Sequence, residues 1–265
     1  MERGLHMNQR EIKVTYIANA GVLITSGQTK IFIDALHSEK TPVFSTLSEP
    51  LLSQIVAGEG PFKDVDYLLV THNHLDHFGV QATSNYLRNN KVKALVVPHD
   101  VAEIIRNKMP GEQKNATETI VMQSSYGEIV QLIRDELRIK YFRTVHQGEQ
   151  FTNVQNYGIL LKIAGYTILH LGDGGYEPES LEKMLQGETI DCALLNFPFI
   201  TLPLGRRIIT GVIKPRKIIT LHLPTTADDQ FNYRKVTAKT ISKYEEQLPK
   251  VVAFWDPLQE EVLEL

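Results

Sequence analysis

Short runs of β-branched and apolar residues, broken by turn residues, open the chain. Residues 11–17, 21–26 and 30–34 follow this pattern, with Asn19-Ala20-Gly21 and Ser26-Gly27-Gln28 as the turns between them. The pattern predicts an antiparallel meander. The period then changes. Over residues 45–57 the apolar positions Leu47, Leu51, Leu52 and Ile55 recur at helical spacing, and Gly58 and Gly60 stop the run. Residues 66–71 read as a buried strand, 81–90 as a helix, 94–98 as a strand and 100–109 as a helix. That rhythm implies parallel pairing in the middle of the sheet.

The second half repeats the plan. Strands are predicted over 128–134, 137–145, 158–164 and 166–171, with Gly165-Tyr166 at a hairpin turn. A short helix follows at 178–185, a strand at 191–196, a helix at 204–213 and a strand at 217–221. A long helix over 231–247 and a last strand over 251–255 close the reading. Two halves of similar order predict two sheets packed together with helices outside. No low-complexity stretch or Pro/Ser linker divides the chain, so one domain over residues 1–265 is expected.

Composition narrows the class. The 265 residues carry 28 Lys plus Arg against 31 Asp plus Glu, a net charge of −3, which argues against a protein that coats nucleic acid. No apolar run approaches the roughly 20 residues that span a bilayer, so no membrane role is expected. A single cysteine, Cys192, excludes an internal disulfide framework and an all-cysteine zinc site. Residues 1–10 are polar and hold no stretch of signal-peptide character. A cytoplasmic protein is therefore expected, and the lone thiol fits a reducing compartment. Met7 is an alternative start, with residues 1–6 then foreign to the natural chain.

The most informative stretch is Thr71-His72-Asn73-His74-Leu75-Asp76-His77-Phe78-Gly79. His72, His74, Asp76 and His77 place four potential metal ligands within six residues, just past a predicted strand. There the chain turns, and side chains at such spacing can converge. Imidazole and carboxylate together suit zinc, and also iron or manganese. Two metals normally need further ligands. His146, Asp173 and His222 supply them, each one or two residues beyond an apolar strand. Strand C-terminal ends gather along one sheet edge, where open α/β proteins place their sites.

With Asp34 closing an early strand, the His-x-His-x-Asp-His run, and a lone His, Asp and His in that order, the chain resembles the metallo-β-lactamase superfamily over nearly its whole length. The resemblance implies an α/β fold, a four-layer αβ/βα sandwich of two mixed sheets with a two-metal site between them. It implies that His72, His74 and His146 hold one cation, that Asp76, His77 and His222 hold the other, and that Asp173 bridges them. Asp34 is then a buried carboxylate that steadies the histidine turn. Relatives that carry iron for electron transfer usually have Glu in place of His74. Antibiotic-cleaving relatives typically lack the bridging Asp. The 49 positions from Asp173 to His222 leave no room for the inserted domain of messenger-RNA-cutting relatives. The 43 residues after His222 read as one helix and a strand, unlike the helical domain of a thioester-cleaving branch. Residues 16–21 and 60–66 look most like the bacterial branch that includes ascorbate-6-phosphate lactonase.

The cofactors expected are two divalent metal ions, zinc first, with manganese or iron as alternatives. A water bridging them loses its proton near neutral pH. The metal-bound hydroxide is then the nucleophile, and Asp76 could steady it. Two cations, two carboxylates and one hydroxide sum to about +1, which favours a small-molecule anionic substrate: an ester, a carboxylated lactone or a phosphodiester. Alternatives are a mononuclear iron oxidoreductase, a nucleic-acid phosphodiesterase and a non-catalytic scaffold. A processing nuclease usually needs a basic arm, and the loops hold only scattered lysines such as Lys91 and Lys93. A homo-oligomer stays open.

Other residues have weaker claims. His37 fits either the cleft or an exposed loop. Asn19 lies in the first turn, near the expected open face, and Asn196 ends a strand on the site edge, where it could orient substrate. His170 reads as a packed, hydrogen-bonded histidine, His99 as a helix-start residue, and Arg206 and Arg207 as surface arginines. The connection from Asp34 to Asp66 is long enough to form a wall or lid.

Overall fold

The computed structural model describes residues 11–39, 41, 44–108, 117–135 and 137–264. The polar leader over 1–10, its alternative start and the expected helix end at 109 lie outside the described residues. The first half runs β1 (Ile12–Ala18), β2 (Gly21–Ser26), β3 (Thr29–Ile33), α1 (Glu49–Ala57), β4 (Tyr67–Leu69), α2 (Val80–Asn89), β5 (Ala94–Pro98), α3 (His99–Lys108) and β6 (Glu118–Met122). The second runs β7 (Ile129–Arg134), β8 (Leu137–Thr144), β9 (Asn156–Ile163), β10 (Tyr166–His170), α4 (Pro178–Leu185), β11 (Cys192–Asn196), α5 (Phe197–Thr201) and α6 (Pro203–Ile208). It closes with β12 (Lys217–Leu221), α7 (Tyr233–Lys243), β13 (Lys250–Ala253) and β14 (Glu260–Leu263).

The strands form two seven-stranded sheets, ordered β14-β1-β2-β3-β4-β5-β6 and β13-β12-β11-β10-β9-β8-β7. Each is mixed. β14 through β3 pair antiparallel and β3 through β6 parallel. In the second sheet β7 through β10 pair antiparallel and β10 through β13 parallel.

Alternation along each strand separates the layers. Val22, Ile24, Ile31, Ile33 and Val96 face the second sheet, where Ile139, Ile159, Ile168, Cys192 and Leu194 meet them. The alternate residues Leu23, Phe32, Leu68, Leu95 and Val97 face outward and pack under Leu51 and Ile55 of α1, Tyr86 of α2 and Ile105 of α3. On the far side Leu169, Ala193 and Leu195 pack under Leu181 and Met184 of α4 and Phe199 of α5. The result is helix, sheet, sheet, helix. Central strands buried on both faces read as continuous apolar runs, which is why they were legible.

Several elements differ from expectation. Residues 251–255 are not the last strand: β14 follows and pairs with β1, Ile12 opposite Leu263 and Thr15 opposite Glu260. Its Glu260-Glu261 start hid it, yet Glu260 accepts from Lys13 across the pair at 2.8 Å. β6 is an edge strand and half-exposed, so it lacks the buried-strand pattern. α5 is five residues of a mostly apolar run that continues β11. α1 starts at Glu49, not at residue 45, because the Ser48 hydroxyl accepts from Leu51 N and caps it. α7 spans only residues 233–243, preceded by Asn232 at φ 58°. Among the described residues no helix is long and apolar enough to cross a membrane.

Candidate metal centre

The histidine turn is held from below by one carboxylate. Asp34, just past β3, adopts φ 50° and is fully buried. Its Oδ1 accepts the Thr71 amide at 2.8 Å, and its Oδ2 accepts the Thr71 hydroxyl at 2.6 Å. The same Oδ2 lies 2.8 Å from His77 Nδ1. The amides of His77 and Phe78 both donate to the His74 carbonyl, at 3.0 and 2.8 Å, which tightens the turn. Asp34 therefore lies beneath the turn and outside the ligand cluster.

All seven expected ligands come together, in two groups. His72, His74, His146 and Asp173 offer one set of donor atoms, and Asp76, His77 and His222 the other, with the atoms of each set within 4.8 Å of one another. Asp173 reaches both. Its Oδ2 lies 3.4 Å from His146 Nε2 and 3.9 Å from His72 Nε2. Its Oδ1 lies 3.2 Å from His77 Nε2 and 3.4 Å from His222 Nε2. Asp76 Oδ2 stands 3.4 Å from His222 Nε2.

The hydrogen bonds behind the rings show which nitrogen faces inward. The Thr71 hydroxyl has one proton and gives it to Asp34, so at 3.0 Å from His72 Nδ1 it accepts. His146 Nδ1 lies 2.7 Å from the Gln147 carbonyl and donates to it. Both rings thus carry their proton on Nδ1 and aim the Nε2 lone pair at the cluster. Those two Nε2 atoms are buried and have no hydrogen-bond partner. A buried lone pair that faces other lone pairs and carboxylate oxygens suits a cation, and the His/Asp donor set suits a divalent one.

Electrostatics follow from crowding. Burial, and then neighbouring His77, hold the His72 imidazole well below its usual pKa. Burial and His146 lower His74 in the same direction. Burial opposes charge on Asp173, but neighbouring His77 and His222 outweigh it and keep the carboxyl well below the usual range. Burial likewise opposes charge on His77, but Asp173 and Asp34 raise it well above the ordinary value. A proton and a metal compete for that nitrogen.

Further residues fix the cluster. Asn196 Nδ2 donates to Asp173 Oδ1 at 2.6 Å, and its own Oδ1 is buried without a partner. Asn19 sits at φ 51°. Its carbonyl accepts the His222 amide at 2.7 Å and its side-chain amide donates to the Ser45 carbonyl. His222 itself has φ 64°. Left-handed non-glycine residues cost of order 1 kcal/mol each and persist where surrounding contacts hold them.

Sequence reasoning missed Asn156, Phe44 and Phe151. Asn156 accepts the Asp173 amide at 3.0 Å and donates to the Leu171 carbonyl at 2.9 Å. Gly172 is required beside it: at φ +56°, an added Cβ would lie 2.6 Å from Asn156 Oδ1 and 2.7 Å from Thr71 Oγ1. The Phe44 ring stands edge-on to His222 at 4.1 Å, and Phe151 meets both His74 and His146 at 4.9 Å. Nothing local marks these residues, because their partners are distant in sequence. The long connection after Asp34 forms a wall: Ser45 Oγ bonds Asp228 Oδ2 at 2.7 Å and accepts the Thr225 amide at 2.7 Å.

His37 is neither exposed nor in the ligand cluster. It is fully buried, and burial pushes its pKa down to about 4. His170 is packed and bonded: Nε2 donates to the Ala20 carbonyl at 3.0 Å, and Nδ1 accepts the Gly172 amide at 3.0 Å. His99 opens α3 and is half-exposed. Arg207 is exposed, while Arg206 is structural, donating to the Ile200 and Thr201 carbonyls at 2.8 and 2.9 Å.

Two mixed sheets flanked by helices, with a His/Asp cluster at their edge, define the metallo-β-lactamase fold. Residues 29–220 match the model of the beta-lactamase superfamily domain, and the chain belongs to that superfamily. Among its relatives is a UPF0173 metal-dependent hydrolase of Pyrococcus furiosus, 30% identical over 243 residues, covering 86% of this chain and 93% of the relative. The fold is shared with Igni18, a metallo hydrolase from Ignicoccus hospitalis, at TM-score 0.65, 18% identity and coverage of 96% and 99%. It is also shared with CmlA, a diiron β-hydroxylase of Streptomyces venezuelae, at TM-score 0.66 and 14% identity, over 98% of this chain and 55% of that one.

Proposed function

We propose that this protein is a metal-dependent hydrolase that cleaves small anionic esters, lactones or phosphodiesters. Two divalent cations, zinc or manganese, would occupy the His72–His74–His146 and Asp76–His77–His222 groups, with Asp173 between them. The observation that carries this reading is the division of the Asp173 oxygens, Oδ2 toward His146 and His72, Oδ1 toward His77 and His222. When bound, such cations supply Lewis acidity and a nucleophile from water ionised near neutral pH. The residues do the rest. Thr71, Gln147 and Asp34 fix the imidazole orientations. Asp76 lies within reach of the second group and can hold a proton as bonds change. Phe44 and Phe151 exclude water from the rim of the rings they touch.

The metal-dependent hydrolase of Pyrococcus furiosus supports the reaction class. Residues 16–21, which carry part of the resemblance to the lactonase-containing branch, include the turn whose Asn19 carbonyl holds the His222 amide. A cytoplasmic location accords with the single thiol, Cys192, which is free and buried between the sheets. Elemental analysis of protein purified without added metal, followed by a panel of lactones, phosphodiesters and thioesters, tests the reading. Two equivalents of divalent metal with hydrolysis of at least one class are expected. One iron per chain with oxygen-dependent turnover and no hydrolysis would overturn it.

A further inference from the structure

A cleft of about 670 Å³ opens on the sheet edge that carries the histidines, where β5, β6 and β8 end. Arg143 lines it, on β8 three residues before His146 and in register with Tyr157 of β9. The Tyr157 amide donates to the Thr71 carbonyl at 3.0 Å, next to His72. Gln155, another lining residue, precedes the Asn156 that holds the Asp173 amide. The cleft and the ligand cluster thus share the β8 end and the start of β9.

Two polar atoms of this cleft are unsatisfied. Arg143 Nε is buried and has no hydrogen-bond partner, and the guanidinium makes no ion pair among the described residues. Ser124, nine-tenths buried, has a hydroxyl oxygen that is likewise without a partner. The nearby acids are engaged with backbone: Glu128 Oε2 accepts the Ser125 amide at 2.9 Å and Asp100 Oδ1 accepts the Val101 amide at 2.8 Å. Burial raises the pKa of Asp100, against the opposing pull of its own backbone hydrogen bonds, His99 and Arg143. The Tyr126 ring lies 4.7 Å from that guanidinium and is half-exposed, which leaves an aromatic face beside it.

A buried N–H on a charged group is costly unless an acceptor fills it. The planar fork of guanidinium matches two oxygens of a carboxylate or a phosphate. We propose that this cleft binds the anionic tail, a carboxylate or a phosphate, of the substrate cleaved at the ligand cluster. Arg143 and Ser124 grip the oxygens and Tyr126 covers the adjoining carbon skeleton. This assignment rests on the hydrolase reading, since it treats both sites as parts of one substrate's path.

The test uses zinc-loaded protein labelled with nitrogen-15, in which the Arg143 Nε–H resonance is assigned by its loss in Arg143→Lys. Inorganic phosphate and acetate are titrated separately. A saturable shift of that resonance is expected, and the ion that causes it distinguishes the two tails. In parallel, hydrolysis of 4-acetoxybenzoate is compared with that of uncharged phenyl acetate. In Arg143→Gln the KM ratio of charged to uncharged ester should rise about tenfold or more, with Arg143→Lys intermediate. A resonance unmoved by either ion at about 50 mM, or an unchanged KM ratio, overturns the anion cleft even where hydrolysis proceeds. A moving resonance without hydrolysis of any panel substrate overturns the hydrolase reading instead. The titration removes no charge, so it decides the matter if Arg143→Gln fails to fold.

Discussion

Asp34 Oδ2 lies 2.8 Å from Nδ1 of His77, and both side chains are wholly buried. The same carboxylate takes two more hydrogen bonds from Thr71, so it fixes the ring of His77 and the start of the turn that carries the other ligands. Replacing it with an amide removes the charge and puts a donor where only donors arrive. Asp34→Asn should weaken zinc binding about 10–100-fold, measured by chelator competition. Unchanged affinity would detach Asp34 from the site.

Asp173 and Asn196 should separate by severity. Asp173→Ala removes the only carboxylate among the described residues that faces both groups, so loss of one metal equivalent and of hydrolysis is expected, with circular dichroism unchanged. Hydrolysis retained in a metal-checked Asp173→Ala protein contradicts the two-metal reading. Asn196→Ala removes only the 2.6 Å donor to Oδ1. Activity should fall about tenfold while both equivalents remain.

Metal removal should loosen the whole fold, because the cluster joins both sheets. His72 and His77 follow β4 in the first, while His146, Asp173 and His222 follow β8, β10 and β12 in the second. A cation that binds only the folded state adds about 2.7 kcal/mol when free metal exceeds its dissociation constant by 100-fold. For a chain of this size that corresponds to about 5–10 °C in Tm. Calorimetry before and after chelation, with zinc added back, measures it. A Tm indifferent to chelation would mean that no cation links the sheets.

Acid stability should show the buried histidines. The unfolded chain binds a proton at position 37 below about pH 6.5, whereas burial holds folded His37 at about 4. Its contribution is therefore complete above pH 6.5 and is lost as pH falls through the window down to about 4. The loss approaches about 3 kcal/mol. His170 shifts in the same direction, also chiefly by burial. Urea unfolding at steps from pH 7 to 4.5 should show a shallower decline for His37→Gln than for the native chain. Equal slopes would place His37 in contact with water.

Local chemistry made much of this legible. The meander β1–β3 follows from short β-branched runs between tight turns. The central strands β5, β10 and β12 were readable because strands covered on both faces leave uninterrupted apolar runs. Edge elements were harder. β14 carries two glutamates, and only its pairing with β1 makes it a strand. Helix ends moved where a cap intervened, as Ser48 does at α1.

The amino-acid order alone marked which residues can offer metal ligands, because ligand type and position after a strand are local properties of the chain. Tertiary structure alone decided how those groups meet. The division of the Asp173 oxygens, the Thr71 proton committed to Asp34, the burial of His37 and the unpartnered Nε of Arg143 depend on atoms distant in sequence. No spacing rule encodes such contacts. They arise when two sheets close on one core and bring their strand ends to a common edge.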